Sequence, residues 1–499
     1  MKSRIFTLAV AMLAFLVRPG SVLALDGEPY IHDPSTIMEC DGKYYTFGTR
    51  GGGLISDDGW TWKSGAVRPG GGAAPDAVKI GDRYLIAYSA TGGGLGGGHS
   101  GRILTMWNRT LDPESPDFEY TEAIEVAASG EDEDCDAIDA GLFLDPATGR
   151  LWCTYGTYFG FIRVVELDPE TGKRVAGNEA VDLAIDCEAT TLIQRDGWYY
   201  LLGTHGTCCS GATSTYNIRV GRSRIIAGPY LDHTGMDMMR GGGKLVVAAN
   251  NRLIGAGHFG LIDLGDGVQK FSCHYEASLD DPGHFGVLDI RALLWKDGWP
   301  VAGDYFMGGT FELESARSGY ALEMGVDAVP FPSSRVRLMS VPGTPPPGEG
   351  GPRPARTYEP KPPIPDQDVA EVSTNWPSGT VAARLGDYML HAHQKWTISP
   401  VDGVGGYLGS PFFRIAVAGT DRTLCAAKNG AVVVAPAFTG ADDQLWRIDQ
   451  LTDGTYRIMP KAESGARHPM CLTAVGVSTP SLATFDPDSF NSRWNLKKP

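Results

Sequence analysis

The chain has 499 residues, too many for one hydrophobic core, so two or three domains are expected. Its net charge of −16 and pI near 5.1 leave no basic stripe for a phosphate backbone, which excludes nucleic acid as a partner and suits neutral sugars. With 66 glycines, 33 prolines and no long amphipathic helical pattern, composition favours many short strands joined by turns.

Residues 1–24 place Lys2 and Arg4 ahead of an apolar run from Ile5 to Val17 and close on Val22-Leu23-Ala24. This is the pattern of a removed signal peptide, because the run is shorter than the about 20 residues a bilayer span needs. The expectation is a secreted protein, extracellular or periplasmic, with no membrane anchor.

Five similar units follow, up to Gly303. Their turns are Asp41-Gly42, Gly81-Asp82, Thr148-Gly149, Asp196-Gly197 and Asp266-Gly267, and the strands after them read KYYTFGT, RYLIAYSA, RLWCTYGT, WYYLLGTHG and VQKFSCHYEA. One polar residue stands upstream of each turn: Asp33 by eight residues, Asp76 by five, Asp139 by nine, Glu188 by eight and His258 by eight. If each unit is an antiparallel sheet, these residues share a place on the innermost strand and face one axis. A radial array of four-stranded sheets leaves few exposed edges, so the units predict a five-bladed β-propeller, with a generic sandwich as the alternative. The turn spacings of 40, 67, 48 and 70 residues assign the insertions to loops, notably 91–99 and 128–136.

Nine cysteines, an odd count with no CxxC pair, give no zinc signature. Cys208 and Cys209 are adjacent, and most cysteines read as small buried hydrophobes.

The chain divides near residue 308, giving a signal peptide (1–24), a propeller domain (25–308) and a second repeat domain (309–499). In the last, units open on Phe311-Glu312-Leu313, Phe413-Arg414-Ile415 and Tyr456-Arg457-Ile458 and end on Gln394-Lys395-Trp396, Gln444-Leu445-Trp446 and Ser492-Arg493-Trp494. Three aromatic-led strands closed by Trp corners bury three indoles about a pseudo-threefold axis, which resembles a ricin-type β-trefoil with a carbohydrate-binding role. The first unit is stretched by a Pro-rich insertion, about 342–376, with ten prolines between Pro342 and Pro365. The fold class read from the chain is therefore all-β, a five-bladed β-propeller followed by a β-trefoil.

Inverting glycoside hydrolysis needs a carboxylate that activates water and a protonated carboxylic acid across the bond, about 6.5–9.5 Å away. Inner strands of different blades can supply both. Asp33, in Ile31-His32-Asp33-Pro34-Ser35, suits the general base, and Glu188, in Asp186-Cys187-Glu188-Ala189-Thr190, the general acid. The acid must hold its proton near neutral pH, and Asp139 can supply the nearby charge that raises its pKa. His258 reads either as a hydrogen-bonded core histidine or, on the axis, as a metal ligand whose other positions are water.

The stretch CCSGATSTYNIRVGRSRIIAGPYLDHTG (Cys208 to Gly235), with IHDPS before it and GAGH and FSCHYEA after it, resembles the family 43 glycoside hydrolases, and among them the endo-1,5-α-L-arabinanases. The resemblance covers roughly residues 28–303. It implies a five-bladed propeller, inverting hydrolysis of α-1,5-linked L-arabinan, and the roles of base, pKa modulator and acid for Asp33, Asp139 and Glu188. It also implies a calcium ion on the axis, ligated by His258 and waters. The chain departs from the family pattern at Ala73, where a Trp is usual, at Ala140 after Asp139, at Phe259 after His258 and at Thr190 near the acid, which leaves the exact glycan open.

Furanose hydroxyls suit carboxylates and the ring face suits aromatics, so His32, Asp76, Tyr158, Phe159, Thr215 and Tyr216 are the candidate sugar contacts. Expected partners are plant cell-wall polysaccharide or arabino-oligosaccharide, with neither nucleic acid nor membrane, and the protein is expected to be a monomer. An exo-acting α-L-arabinofuranosidase or β-xylosidase of the same fold, and a non-catalytic carbohydrate-binding protein, are the competing readings.

Overall fold

A computed structural model describes residues 25–91, 100–130, 133–326, 376–387, 391–463, 469–475 and 479–499. The expected signal peptide, the Gly92–Gly98 run, residues 131–132 of the second loop and the Pro-rich insertion up to residue 375 lie outside the described residues.

Five sheets form the blades of a propeller. Blade 1 contains Met38–Cys40, Lys43–Phe47, Gly52–Ser56 and Thr61–Val67; blade 2 contains Ala73–Ile80, Arg83–Thr91, Arg102–Asn108 and Ile124–Ala128. Blade 3 contains Gly141–Leu144, Leu151–Tyr155, Phe161–Leu167 and Val181–Ile185; blade 4 contains Glu188–Arg195, Trp198–His205, Asn217–Ser223 and Lys244–Val247. Blade 5 contains Leu253–Asp263, Gln269–Ser278, Phe285–Lys296 and Trp299–Ala302. The five Gly-centred turns each join the first and second strands of a blade. Asp41-Gly42 and Asp196-Gly197 hold both residues at positive φ, the turn geometry that matches strand twist.

Each neighbouring pair of blades encloses its own apolar layer. Tyr45, Phe47, Ile86 and Met106 fill the first, Leu85, Ile103, Cys153 and Val165 the second, and Phe143, Ile162, Leu192 and Leu201 the third. Tyr200, Ile218, Phe271 and Tyr275 fill the fourth, and Ile31, Leu54, Trp62, Leu288 and Ile290 the fifth. The ring is closed by the segment before blade 1. Ile31 N–H donates to the Gly286 carbonyl (3.0 Å), and Leu288 N–H donates to the Pro29 carbonyl (2.7 Å).

Around the axis, each blade carries one non-glycine residue in left-handed backbone: Asp33 (φ 53°), Ala74 (42°), Asp139 (57°), Ala189 (46°) and His258 (62°). In blades 2, 4 and 5 these coincide with breaks in strand register. A bulge frees a backbone N–H that must find another acceptor. In all five cases the preceding blade provides it. Ala74 N–H donates to Thr49 Oγ1 (3.1 Å), Asp139 N–H to Ser89 Oγ (3.0 Å), and Ala189 N–H to Asp139 Oδ2 (3.2 Å). His258 N–H donates to Thr204 Oγ1 (2.9 Å), and Asp33 N–H to His274 Nδ1 (3.2 Å). This circle of inter-blade bonds holds the strained residues in place and re-aims their side chains.

The C-terminal domain begins with Gly309–Ser315, after the last propeller strand. Its three units repeat one geometry: Phe311 pairs with Trp396, Phe413 with Trp446 and Tyr456 with Trp494. The three buried indoles donate to carbonyls of Leu322 (2.8 Å), Leu424 (3.1 Å) and Leu472 (2.9 Å). They share one core with Ile415, Leu424, Ile448 and Ile458, an arrangement consistent with a trefoil. Where Gln394 and Gln444 bond their own units through their amides, Ser492 substitutes with a hydroxyl contact to Thr473 (2.8 Å).

The two domains share buried chemistry. Asp449 accepts from Arg447 (2.8 Å) and Arg457 (2.9 Å) and lies 3.6 Å from Lys270 of blade 5. Lys270 Nζ also donates to the Leu408 carbonyl (2.6 Å), and Leu408 packs into the layer between blades 5 and 1. Burial pushes the Lys270 pKa down to about 8 even with Asp449 beside it.

Candidate active site

Asp33 precedes the inner strand of blade 1, and its left-handed backbone turns its carboxylate toward three partners. Thr49 Oγ1 and His32 Nδ1 (2.8 Å) both contact Oδ2, and His258 Nδ1 stands 3.6 Å from Oδ1. Burial alone would raise its pKa. The charge of His32 and the nearby imidazole of His258 outweigh burial and hold Asp33 well below the usual carboxylate range. Burial likewise works against a charge on His32, yet the adjacent Asp33 raises its pKa. His274, fully buried below this pair, is held well below the usual histidine range by burial and then by His32. Because Nδ1 of His274 accepts from the backbone of Asp33, that assigned tautomer is the neutral one.

Glu188 opens the inner strand of blade 4, one residue before the left-handed Ala189. Its side chain is 8% exposed, with Thr157 Oγ1 donating to Oε2 (2.8 Å) and the Tyr216 hydroxyl donating to Oε1. Burial raises its pKa to about 7 against the pull of these two donors, and the charge of Asp33 adds to the rise. Both hydroxyls can accept as well as donate, so each retains a hydrogen bond to Glu188 when it is protonated. Asp139 faces the same space from blade 3. Burial, then Glu188, then Asp33 push its carboxyl well above the usual range. Asp139 and Glu188 therefore titrate as a pair that retains a proton at neutral pH.

The chain thus brings an ionised carboxylate ahead of blade 1 and a proton-holding carboxyl on blade 4 into one electrostatic environment. Such a pair can activate water on one side and protonate a leaving group on the other.

The remaining expected contacts divide. Tyr158 is half-buried, and its hydroxyl pKa is raised by burial and then by Glu188, so it lies within electrostatic reach of that carboxyl. Phe159 is 47% exposed and packs against Tyr158 with ring centroids 4.5 Å apart. Tyr216 is buried and engaged with Glu188. Thr215 is exposed at the rim, where its Oγ1 accepts from Thr207 N–H (3.1 Å). His32 is taken up by Asp33 and stacks on Phe285 (4.6 Å).

Asp76 is placed differently from the expectation that it touches sugar. It is 5% exposed, and Thr36 N–H (2.9 Å) and Leu142 N–H (2.8 Å) occupy one oxygen each, so it braces blade 2 to both neighbours. The axial counterpart of Asp33 in blade 2 is Ala74, two residues earlier.

Four residues that sequence reasoning passed over hold the site together: Thr49, Thr157, Thr204 and His274. Three of them close the repeated motif Gly48-Thr49, Gly156-Thr157 and Gly203-Thr204 at the end of the second strand, a signal present in the sequence.

Calcium takes six to eight oxygen ligands. Around His258 the described residues offer imidazole nitrogens and an Asp33 carboxylate already engaged by His32 and Thr49. They do not form a calcium cage.

Residues 46–300 match the family described as "Glycosyl hydrolases family 43", just over half of the chain. The chain belongs to this family. The match ends before the C-terminal domain, which its own geometry describes. The chain is 30% identical over 305 residues to the extracellular exo-alpha-(1->5)-L-arabinofuranosidase ArbA of Cellvibrio japonicus, covering 54% of this chain and 85% of that one. It is 33% identical over 179 residues to the extracellular endo-alpha-(1->5)-L-arabinanase 1 of Bacillus subtilis, covering 35% of this chain and 53% of that one. The crystal structure of an exo-1,5-alpha-L-arabinanase from a bovine ruminal metagenomic library is 31% identical, with a TM-score of 0.50 over 55% of this chain and 97% of that one. As a family 43 member, the protein is a glycoside hydrolase.

Proposed function

We propose that the protein hydrolyses α-1,5-linked L-arabinan with inversion, Asp33 acting as general base, Glu188 as general acid and Asp139 as the modulator of the acid. The carrying observation is the opposed pKa pair, Asp33 held low by histidines and Glu188 raised to about 7 by burial. Asp33 removes a proton from water as its oxygen attacks the anomeric carbon. Glu188 gives its proton to the departing glycosidic oxygen, and both groups reset by exchange with solvent. The substrate class rests on the relatives, whose names include arabinanases and an arabinofuranosidase.

Cutting within the chain is our first reading, in line with the arabinan endo-1,5-alpha-L-arabinosidases among the relatives. Exo action is the second, because the Cellvibrio japonicus and ruminal relatives carry exo in their names. We further propose that the protein is secreted. The two relatives named extracellular support this, and no helix of the described residues is long and apolar enough to cross a membrane. The trefoil-like domain is assigned to holding the enzyme on polysaccharide, which raises local substrate concentration.

Product sizing on linear arabinan, xylan and galactan tests the reading. Mixed oligomers from arabinan alone are expected; products of one size identify exo action, and turnover of xylan or galactan instead of arabinan overturns the substrate.

A further inference from the structure

Residues 207–215 cross the site between its acid and base sides. One end is pinned through Tyr216, whose N–H donates to Ser214 Oγ (3.2 Å) and whose hydroxyl reaches Glu188. At the other end stands a disulfide between the adjacent residues Cys208 and Cys209, while the other seven cysteines are buried and free. Its anchor is Glu276, a fully buried carboxylate that accepts from the N–H groups of Cys209, Ser210 (2.8 Å) and Gly211 (3.0 Å). A ring nitrogen of His32, both sulfurs and one Glu276 oxygen all lie within 4.8 Å of one another. The sulfurs therefore sit beside the residue that holds Asp33, with Cys209 exposed and Cys208 half-buried.

A disulfide between neighbours fixes the chain into a small ring and offers no strong hydrogen-bond donor. Three backbone donors on a buried carboxylate are far more than surface cysteines need for packing, and they hold the sulfurs beside His32. We propose that the Cys208–Cys209 disulfide is a specificity-determining wall of the sugar pocket, a rigid apolar edge beside His32 on which the C–H face of a pentose ring rests. This builds on the hydrolase reading above. A wall that touches sugar equally in ground and transition states changes KM and leaves kcat.

The test compares kcat and KM on arabino-oligosaccharides for the oxidised full chain, the same chain after dithiothreitol, and Cys208→Ser/Cys209→Ser. In the reduction, the dithiol passes two electrons and two protons to the S–S bond, which opens to two thiols as the dithiol closes to its own disulfide. Free-thiol titration reports the state, and the buried cysteines are shielded from the reagent. Both altered forms are expected to raise KM about tenfold, equal to about 1.4 kcal/mol, with kcat within about twofold and reversal on reoxidation. An unchanged KM overturns the wall, as does a loss confined to kcat, which marks a loop that only positions Tyr216. If the oxidised chain turns over no arabino-oligosaccharide, the hydrolase reading fails separately. Calorimetry then still decides the wall: Kd about tenfold weaker in the double variant supports it, and an equal Kd overturns it.

Discussion

The carboxylate of Asp139 accepts the backbone N–H of Ala189, the residue that follows Glu188, at 3.2 Å. In the four other inter-blade bonds of this circle the acceptor is a hydroxyl or an imidazole. Only here is it an acid. The bond therefore fixes a titratable group against the backbone that carries the proposed proton donor, so the electrostatic coupling of Asp139 to Glu188 is built into the circle that closes the propeller.

Asp139→Asn keeps an acceptor for Ala189 and removes the second titrating carboxyl of the pair. We expect the fold to survive and kcat to fall about 10–100-fold. Two carboxyls that share a retained proton hold it to higher pH than either alone, so with only Glu188 left the alkaline limb of kcat/KM moves down. An unmoved limb argues against modulation.

The wild-type profile is expected to decline as pH rises through about 7, where Glu188 loses its proton. The base is held below the usual carboxylate range, so the acid limb lies below that range too. Tyr216→Phe removes a hydroxyl that donates to Glu188 and lowers its pKa. The alkaline limb should therefore move upward. A downward shift contradicts the assignment of this hydrogen bond.

Glu188→Ala and Asp33→Ala are each expected to lower kcat on arabinan by about three orders of magnitude. An aryl arabinoside with a good leaving group needs little protonation. On that substrate the Glu188 variant should recover much of its rate and the Asp33 variant none. Equal losses on both substrates by both variants speak against the separate roles.

Asp449→Ala leaves Arg447, Arg457 and Lys270 buried together without their shared carboxylate. Denaturant unfolding should show a loss of about 3–5 kcal/mol, the cost of stranding buried charge. Removing residues 309–499 uncovers Lys270 and takes Leu408 from the layer between blades 5 and 1, so the shortened chain should unfold at lower temperature than the full one. A propeller of unchanged Tm after the deletion contradicts this interface.

Much of this was legible because it is local. Hairpin turns, second-strand sequences and Trp corners lie within short stretches, and they gave the blade count and the three-unit repeat. Asp33, Asp139 and His258 stood eight or nine residues before their turns because each occupies the left-handed axial position. Asp76 stood only five residues before its turn, and that shorter offset was the mark of a residue beyond the bulge that faces its neighbours. What stayed hidden depends on packing between distant segments. Lys270 meets Asp449 across 179 residues and Glu276 anchors the 209–211 turn from another blade, and no spacing rule reaches such pairs. Cysteine counting likewise left the Cys208–Cys209 bond undecided.

The opposed roles of Asp33 and Glu188 are tested most directly by proton NMR of the sugar first released from an α-L-arabinofuranoside, recorded before mutarotation. Direct attack of an Asp33-activated water predicts the β-anomer as the initial product. Initial release of the α-anomer means two displacements through a covalent intermediate, and that result contradicts the account.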